Sequence, residues 1–258
     1  MCLHFCRSIK TEYLTNNTDS YFWMCLQFNK ASDYSYYFYM FSDKEPFLAS
    51  LRILGGTYSS IVGKVCAASV PVSEFHTLLK IGNENAAKVD CPDPLLGSFN
   101  YTYTEKKVTY CANVNTATIN ACDAATFRTH VIVDNTGCTA KKPFYSTSGQ
   151  LWCIVSFTPS TVSYTTLYNP DSTVSSKFVC VAAQSSGSST QLSMIPGECT
   201  GTQTPSVSPS DTTGATMELK PYFSCKTTPS TPLFTGCRSI LQHRCSRVVE
   251  AYCNTAVI

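Results

Sequence analysis

Fifteen cysteines stand in this chain, and most are far apart. Cys25 to Cys66, Cys66 to Cys91 and Cys91 to Cys111 are long gaps, without the tight Cys-x-x-Cys pairs of zinc modules. A reducing compartment gives no reason to scatter so many thiols, so the pattern predicts a disulfide framework and an extracellular setting. Order alone leaves the connectivity open. Proximity along the chain suggests Cys111–Cys122 and Cys138–Cys153, strand logic then ties the first strand to a late one through Cys91–Cys180, analogy between the two halves of the chain adds Cys6–Cys25, and Cys199–Cys225 completes the scheme. On that scheme Cys66 has no partner, and Cys2, Cys237, Cys245 and Cys253 are unassigned.

The rest of the composition narrows the fold. Hydrophobic residues make up 43% of the 258, enough for a core, and only 14% are charged, against about a quarter in an average domain. The formal charge of +2 carries no basic stripe for nucleic acid and no acidic tail. No apolar run reaches the roughly 18 residues of a membrane span. MCLHFCRSIK has neither the basic start nor the long apolar stretch of a signal peptide, which suggests a piece of a longer secreted chain. Two sequons place candidate glycosylation at Asn16 and Asn100.

Strand signals recur at short intervals. GSFNYTYT (97–104) alternates, with Phe99, Tyr101 and Tyr103 on one face and Asn100 and Thr102 on the other. TFRTHVIV (126–133) ends at the turn DNTG; LWCIVSF (151–157), VSYTTLY (162–168), KFVCVAAQ (177–184), TQLSMI and ATMELKPYF follow. Short, closely spaced strands predict a mainly β fold, an antiparallel sandwich or barrel. TGTQTPSVSPSDTT (200–213) and KTTPSTP (226–232) read as exposed loops. In CRSILQHRCSRVVEAYC (237–253) helical spacing predicts a short C-terminal helix with one face carrying cysteines.

YFWMCLQF (21–28) and QLWCIVSF (150–157) both set a Trp near a Cys in an apolar strand. Aligning Cys25 with Cys153 sets Cys66 near Cys180 at intervals of 41 and 27 residues, with an insertion of about 14 around PFLASLRILGGTYSS (46–60). The expected organisation is a partial β module over 1–89, a complete six-cysteine copy over 90–225, and a Thr/Pro linker with the helix over 226–258.

CPDPLLGSFNYTYT is followed by Cys111, Cys122, Cys138, Trp152-Cys153 and Cys180, then GECTG and ATMELKPY. This order resembles a largely invertebrate animal family of cysteine-rich extracellular proteins built from adjoining domains of unknown function. The match covers about 88–225 well and 1–80 loosely. CTAK at Cys138 and KKPFYSTSGQ before Cys153 depart from the family pattern. The resemblance implies compartment and architecture and brings no catalytic residues. Gly97-Ser98-Phe99 also resembles the G-x-W opening of a lipocalin-like barrel.

Chemistry is thin. His4, His76, His130 and His243 are the only histidines, and His243 with Cys245 lacks a second pair to complete a metal site. No nucleophile elbow, zincin helix, phosphate loop or dinucleotide fingerprint occurs. Asp171 and Glu198 stand alone, as turn acids do. YSYYFYMF (34–41) is aromatic on both faces: either a strand buried on both sides or a patch for a partner or glycan. The expected function is a non-enzymatic extracellular structural, adhesive or receptor-ectodomain module without metal or cofactor. A lipocalin-like carrier of a small apolar ligand is the alternative, and an extracellular hydrolase the next. The expected partner is an extracellular protein, a glycan or that apolar ligand, with no nucleic acid.

Overall fold

Alternation decides the architecture. In β8 (Ser98–Glu105), Phe99, Tyr101 and Tyr103 are buried while Asn100, Thr102 and Thr104 are half-exposed. The same period runs through the later part of β11 (His130–Asp134), the first half of β15 (Ser189–Pro196) and β16 (Ala215–Phe223) as far as Leu219, so each strand offers an apolar face that must be enclosed. The computed structural model describes residues 4–10, 21–45, 51–56, 65–112, 115–121, 128–207 and 214–223, and it encloses that face by closing a barrel.

Eight antiparallel strands go round in chain order: β8, β10 (Thr118–Asn120), β11, β12 (Gln150–Phe157), β13 (Ser163–Tyr168), β14 (Phe178–Ser186), β15 and β16. β16 pairs with β8 through Lys220 opposite Asn100, and β8 pairs with β10 through Asn100 opposite Thr118, which closes the ring. β9 (Val108–Tyr110) is a hairpin arm on β8. This up-and-down barrel fits a lipocalin-like fold. Its interior holds its own side chains: Leu151 and Leu219 are 0% exposed, Met217 and Leu192 1%, Tyr101 and Ile119 2%.

A second, five-stranded sheet contains β1 (His4–Lys10), β2 (Tyr21–Lys30), β3 (Ser35–Met40), β6 (Leu54–Gly56) and β7 (His76–Leu79); β4 (Lys44–Glu45) and β5 (Leu51–Arg52) form a small ladder of their own. The five-stranded sheet docks on the outside of the barrel because of a bulge. Register in β12 shifts between Cys153 and Val155. Leu151 and Cys153 face the barrel interior; past the bulge, Val155 and Phe157 face out. Tyr37 stacks on Phe157 at 4.7 Å, and Phe75, fully buried, meets Phe157 and Tyr164 edge-on. Gly201 lets the loop after β15 come close to β7's flank. A Cβ there would lie 2.8 Å from Glu74 Oε2 and 3.0 Å from Pro71 Cγ.

The disulfides differ from the expected pairing throughout. The bonds are Cys25–Cys66, Cys91–Cys153, Cys111–Cys138 and Cys180–Cys199. Nearness in sequence misleads because barrel neighbours are set by the ladder. The chain before β8 crosses to β12, where Val89 N–H donates to the Cys153 carbonyl at 2.8 Å, so Cys91 meets Cys153 instead of Cys180. The loop after β15 folds back onto β14 and β15. Gln203, 2% exposed, donates there to the Cys180 and Ser193 carbonyls, and Cys199 reaches Cys180 instead of Cys225. Thus Thr200–Val207, expected to be an exposed loop, is partly packed. Cys111 meets Cys138 rather than Cys122, because Gly137 N–H donates to the Thr116 carbonyl and ties the two loops. Cys66 has a partner: Ala68 N–H donates to the Phe41 carbonyl and Phe41 N–H to that of Cys25. Cys6 lies opposite Cys25 in the β1–β2 register, but the bond of Cys25 goes to Cys66.

The two Trp–Cys strands are not equivalent. Trp23 and Cys25 pack in one cluster on the same face, whereas Trp152 is half-exposed outside the barrel while Cys153 is inside. Cys153 and Cys180 are not bonded to each other as Cys25 and Cys66 are. Cys2, Cys122, Cys225, Cys237, Cys245, Cys253, Asn16, His243 and the expected C-terminal helix lie outside the described residues.

Candidate functional site

Interior alternation leaves the barrel's loops to carry chemistry. At one end three segments converge: the β8–β9 turn, the chain from Cys138 to Gly149, and the β13–β14 loop from Asn169 to Ser176. Each is held by identifiable bonds. Tyr101 Oη, from the barrel core, donates to Asn135 Oδ1 at 2.6 Å, and Asn135 Nδ2 donates to the Pro143 carbonyl at 3.2 Å. The Cys111–Cys138 disulfide joins the end of β9 to the start of the second segment.

Two Lys-Lys pairs meet here. Lys106 and Lys107 form the tip of the β8–β9 hairpin, both exposed and both left-handed, at φ 49° and 66°. Lys141 and Lys142 follow Cys138. Lys141 Nζ lies 2.8 Å from Glu105 Oε2 and 5.9 Å from the centre of the Tyr110 ring, and Lys142 Nζ lies 5.8 Å from that of Tyr145. The hydrogen bond from Lys141, followed by that from Tyr103, holds the Glu105 carboxyl below its ordinary range, and Lys106 adds to this; Glu105 in turn raises Lys141.

Beside the lysines lies an open groove of about 560 Å³, lined by Thr147, Ser148, Gln150, Trp152 and Pro170 to Thr173. Asp171 organises it. One carboxylate oxygen accepts from the Thr147 N–H and hydroxyl, both at 2.6 Å, and the other from the Thr173 N–H and hydroxyl at 2.9 and 2.7 Å. Those bonds, Thr147 first, drive its pKa far below the ordinary carboxylate range. Asn169 Nδ2 donates to the Tyr145 carbonyl at 2.7 Å and links the groove to the lysine loop. Trp152, Tyr168 and Phe178 stand side by side on the outer face, and Lys88 Nζ lies 4.9 Å from the Trp152 ring centre.

The other singled-out residues fall elsewhere. Asn100 faces outward on β8, half-exposed, between Thr118 and Lys220. Of the aromatic run, Tyr37 and Tyr39 face the barrel, and Tyr39 Oη donates to the Val72 carbonyl at 3.0 Å. Phe38, on the opposite face, packs with Phe28 and His76. His76 Nδ1 and Glu198 Oε1 are 3.1 Å apart; His130 is buried at the start of β11. Among the described residues, no group of three or more His, Cys, Asp or Glu is gathered to hold a metal, and no helix is long and apolar enough to cross a membrane. Sequence reading passed over Lys106, Lys107, Lys141 and Lys142. Their signal was two Lys-Lys pairs, each close to a cysteine, which reveals nothing until the cysteines are known to bond.

No curated protein and no solved structure matches the chain. One family does: residues 87–216, from the segment that leads to Cys91 into the start of β16, match the family described as Domain of unknown function (DUF7042). That span includes the greater part of the barrel and three of the four described disulfides, and the chain belongs to this family.

Proposed function

We propose that the chain is a non-enzymatic extracellular module, structural, adhesive or part of a receptor ectodomain, which engages its partner through the loop end of the barrel. The observation that carries this reading is the filled interior: Tyr101, Leu151, Met217 and Leu219 occupy the space a carrier gives to its ligand. What remains for recognition is the loop face, fixed by the Cys111–Cys138 disulfide and the four bonds to Asp171. The four disulfides are compatible with an oxidising compartment. Asp171 is committed to its loop and Glu198 to His76, which suits turn and clamp roles better than an acid–base pair. The outward-facing Asn100 is the candidate glycan acceptor within the barrel.

The closed barrel also suits an apolar-ligand carrier, and one experiment separates these readings. The chain, secreted behind an added signal sequence, is immobilised and offered extracellular-matrix extract and, separately, an apolar fluorophore. Retention of matrix material, recovered uncut and blocked by soluble chain, is the expected result. Stoichiometric uptake of the fluorophore with quenching of tryptophan emission supports the carrier and overturns the proposal. Release of cut fragments does so in favour of a hydrolase. On the secreted chain, loss of one glycan on Asn100→Gln, read by mass, is the expected outcome for the sequon.

A further inference from the structure

The geometry points to Lys106, Lys107, Lys141 and Lys142 as one binding site for a sulfated polysaccharide. This inference rests on the reading of the chain as a binding module and names the ligand its loop end takes.

Charge is the first ground. Four ammonium groups share one loop end of a chain whose formal charge is only +2. Of the acids nearby, Glu105 is paired with Lys141 and the Tyr103 hydroxyl, while Asp134, bonded to the N–H and hydroxyl of Thr136, stays ionised. Asp171, in the adjoining groove, is bonded to Thr147 and Thr173. Four lysines against these three carboxylates leave a local excess of one positive charge, and the exposed Lys106, Lys107 and Lys142 present it to solvent, where it attracts a polyanion.

Strain is the second. A two-residue hairpin turn with both residues left-handed favours Asn-Gly, because a Cβ at positive φ crowds the following carbonyl. Lysine at both positions is a poor choice for folding alone, and strained positions of this kind collect where a surface is used. The third ground is the placement of the second pair. The Cys111–Cys138 bond, the Glu105–Lys141 bridge and the Lys141–Tyr110 contact join the two loops, so two pairs 35 residues apart act together.

The ligand class follows from the side chains. Lysine is a hydrated point charge that senses charge density without the planar fork by which Arg reads a carboxylate. Tyr110 and the 49%-exposed Tyr145 stand beside Lys141 and Lys142 and offer ring faces to the C–H face of a sugar. A membrane surface asks for a broad apolar face beside the charges. At the tip, Val108 alone offers an exposed aliphatic side chain.

The test uses the full oxidised chain on heparin-coated sensors, with desulfated heparin, polyglutamate and phosphatidylserine vesicles as parallel probes. Heparin binding that weakens with salt, and weak binding to the other three, is expected. Lys106→Asn/Lys107→Gly, which relieves the turn, lowers heparin affinity about tenfold while thermal stability is kept or raised. Lys141→Gln/Lys142→Gln lowers it similarly. Equal binding to desulfated heparin, stronger binding to vesicles or polyglutamate, or an unchanged affinity in the Asn-Gly variant overturns the inference. Matrix adhesion that survives both double substitutions overturns it too and leaves the binding-module reading standing. Cleavage of heparin by the chain overturns that broader reading and leaves the lysine site in place.

Discussion

Lys106 and Lys107 show how one pair of residues can oppose the fold that holds it. Left-handed backbone costs an L-residue with a Cβ roughly 1–2 kcal/mol, and both lysines adopt it. Lys106→Asn/Lys107→Gly should therefore stabilise the chain by about 1 kcal/mol in denaturant unfolding; a loss of stability would mean that the lysines make contacts that compensate the strain. Glu74 is the opposite case, an acid whose partner needs it. Arg52, 8% exposed, places Nε 2.6 Å from Glu74 Oε1 and Nη2 3.1 Å from Oε2, and Nη1 donates to the Ser42 carbonyl. These bonds from Arg52 lower the carboxyl's pKa from its ordinary 4.5. A depressed acid contributes stability that is complete above the unfolded-state pKa and is lost as pH falls through the folded one. Acid unfolding should thus begin below about pH 4.5, the ordinary value. Glu74→Gln should cost about 3–5 kcal/mol at neutral pH by leaving Arg52 buried without its counter-charge, and should flatten the acid limb. An unchanged acid limb in that variant would place the dependence on another acid.

At the scale of elements, strands were easier to read than their partners. The alternation of Phe99, Tyr101 and Tyr103 shows an inward face because the pleat has period two whatever the strand pairs with. β12 broke that rule. The bulge at Ile154 reverses the alternation, so Val155 and Phe157 point outward, and no pattern in QLWCIVSF marks the reversal. Disulfides behave like bulges in this respect, since a bond reports which strand ends meet. Cys91–Cys153 closes a separation of 62 residues and ties the approach to β8 against β12. Replacing both cysteines by Ala should cost about 4 kcal/mol in the chain-entropy model, measured by urea unfolding of the oxidised chain. A cost below about 1 kcal/mol would mean that the unfolded chain already keeps these segments together.

Across the whole molecule, stability of the five-stranded sheet depends on the barrel. Phe75 is fully buried among Tyr37, Phe157 and Tyr164, and the Thr77 and Thr166 hydroxyls meet at 2.7 Å beside it. Phe75→Ala should cost about 3–5 kcal/mol, with hydrogen exchange rising first in β3 and β7. Equal loss of protection in β8 and β16 would make the two sheets one cooperative unit. The amino-acid sequence by itself determined the antiparallel β class, the inward faces of most strands and the disulfide-bonded character, because propensity, period and cysteine number are local or compositional properties. Only the tertiary structure decided which cysteines bond, where β12 turns its aromatic face outward, and that Lys106-Lys107 and Lys141-Lys142 share one end of the barrel. Each of those depends on which strands become neighbours when the sheet closes, and closure is a property of the whole ring of hydrogen bonds, carried by no single segment.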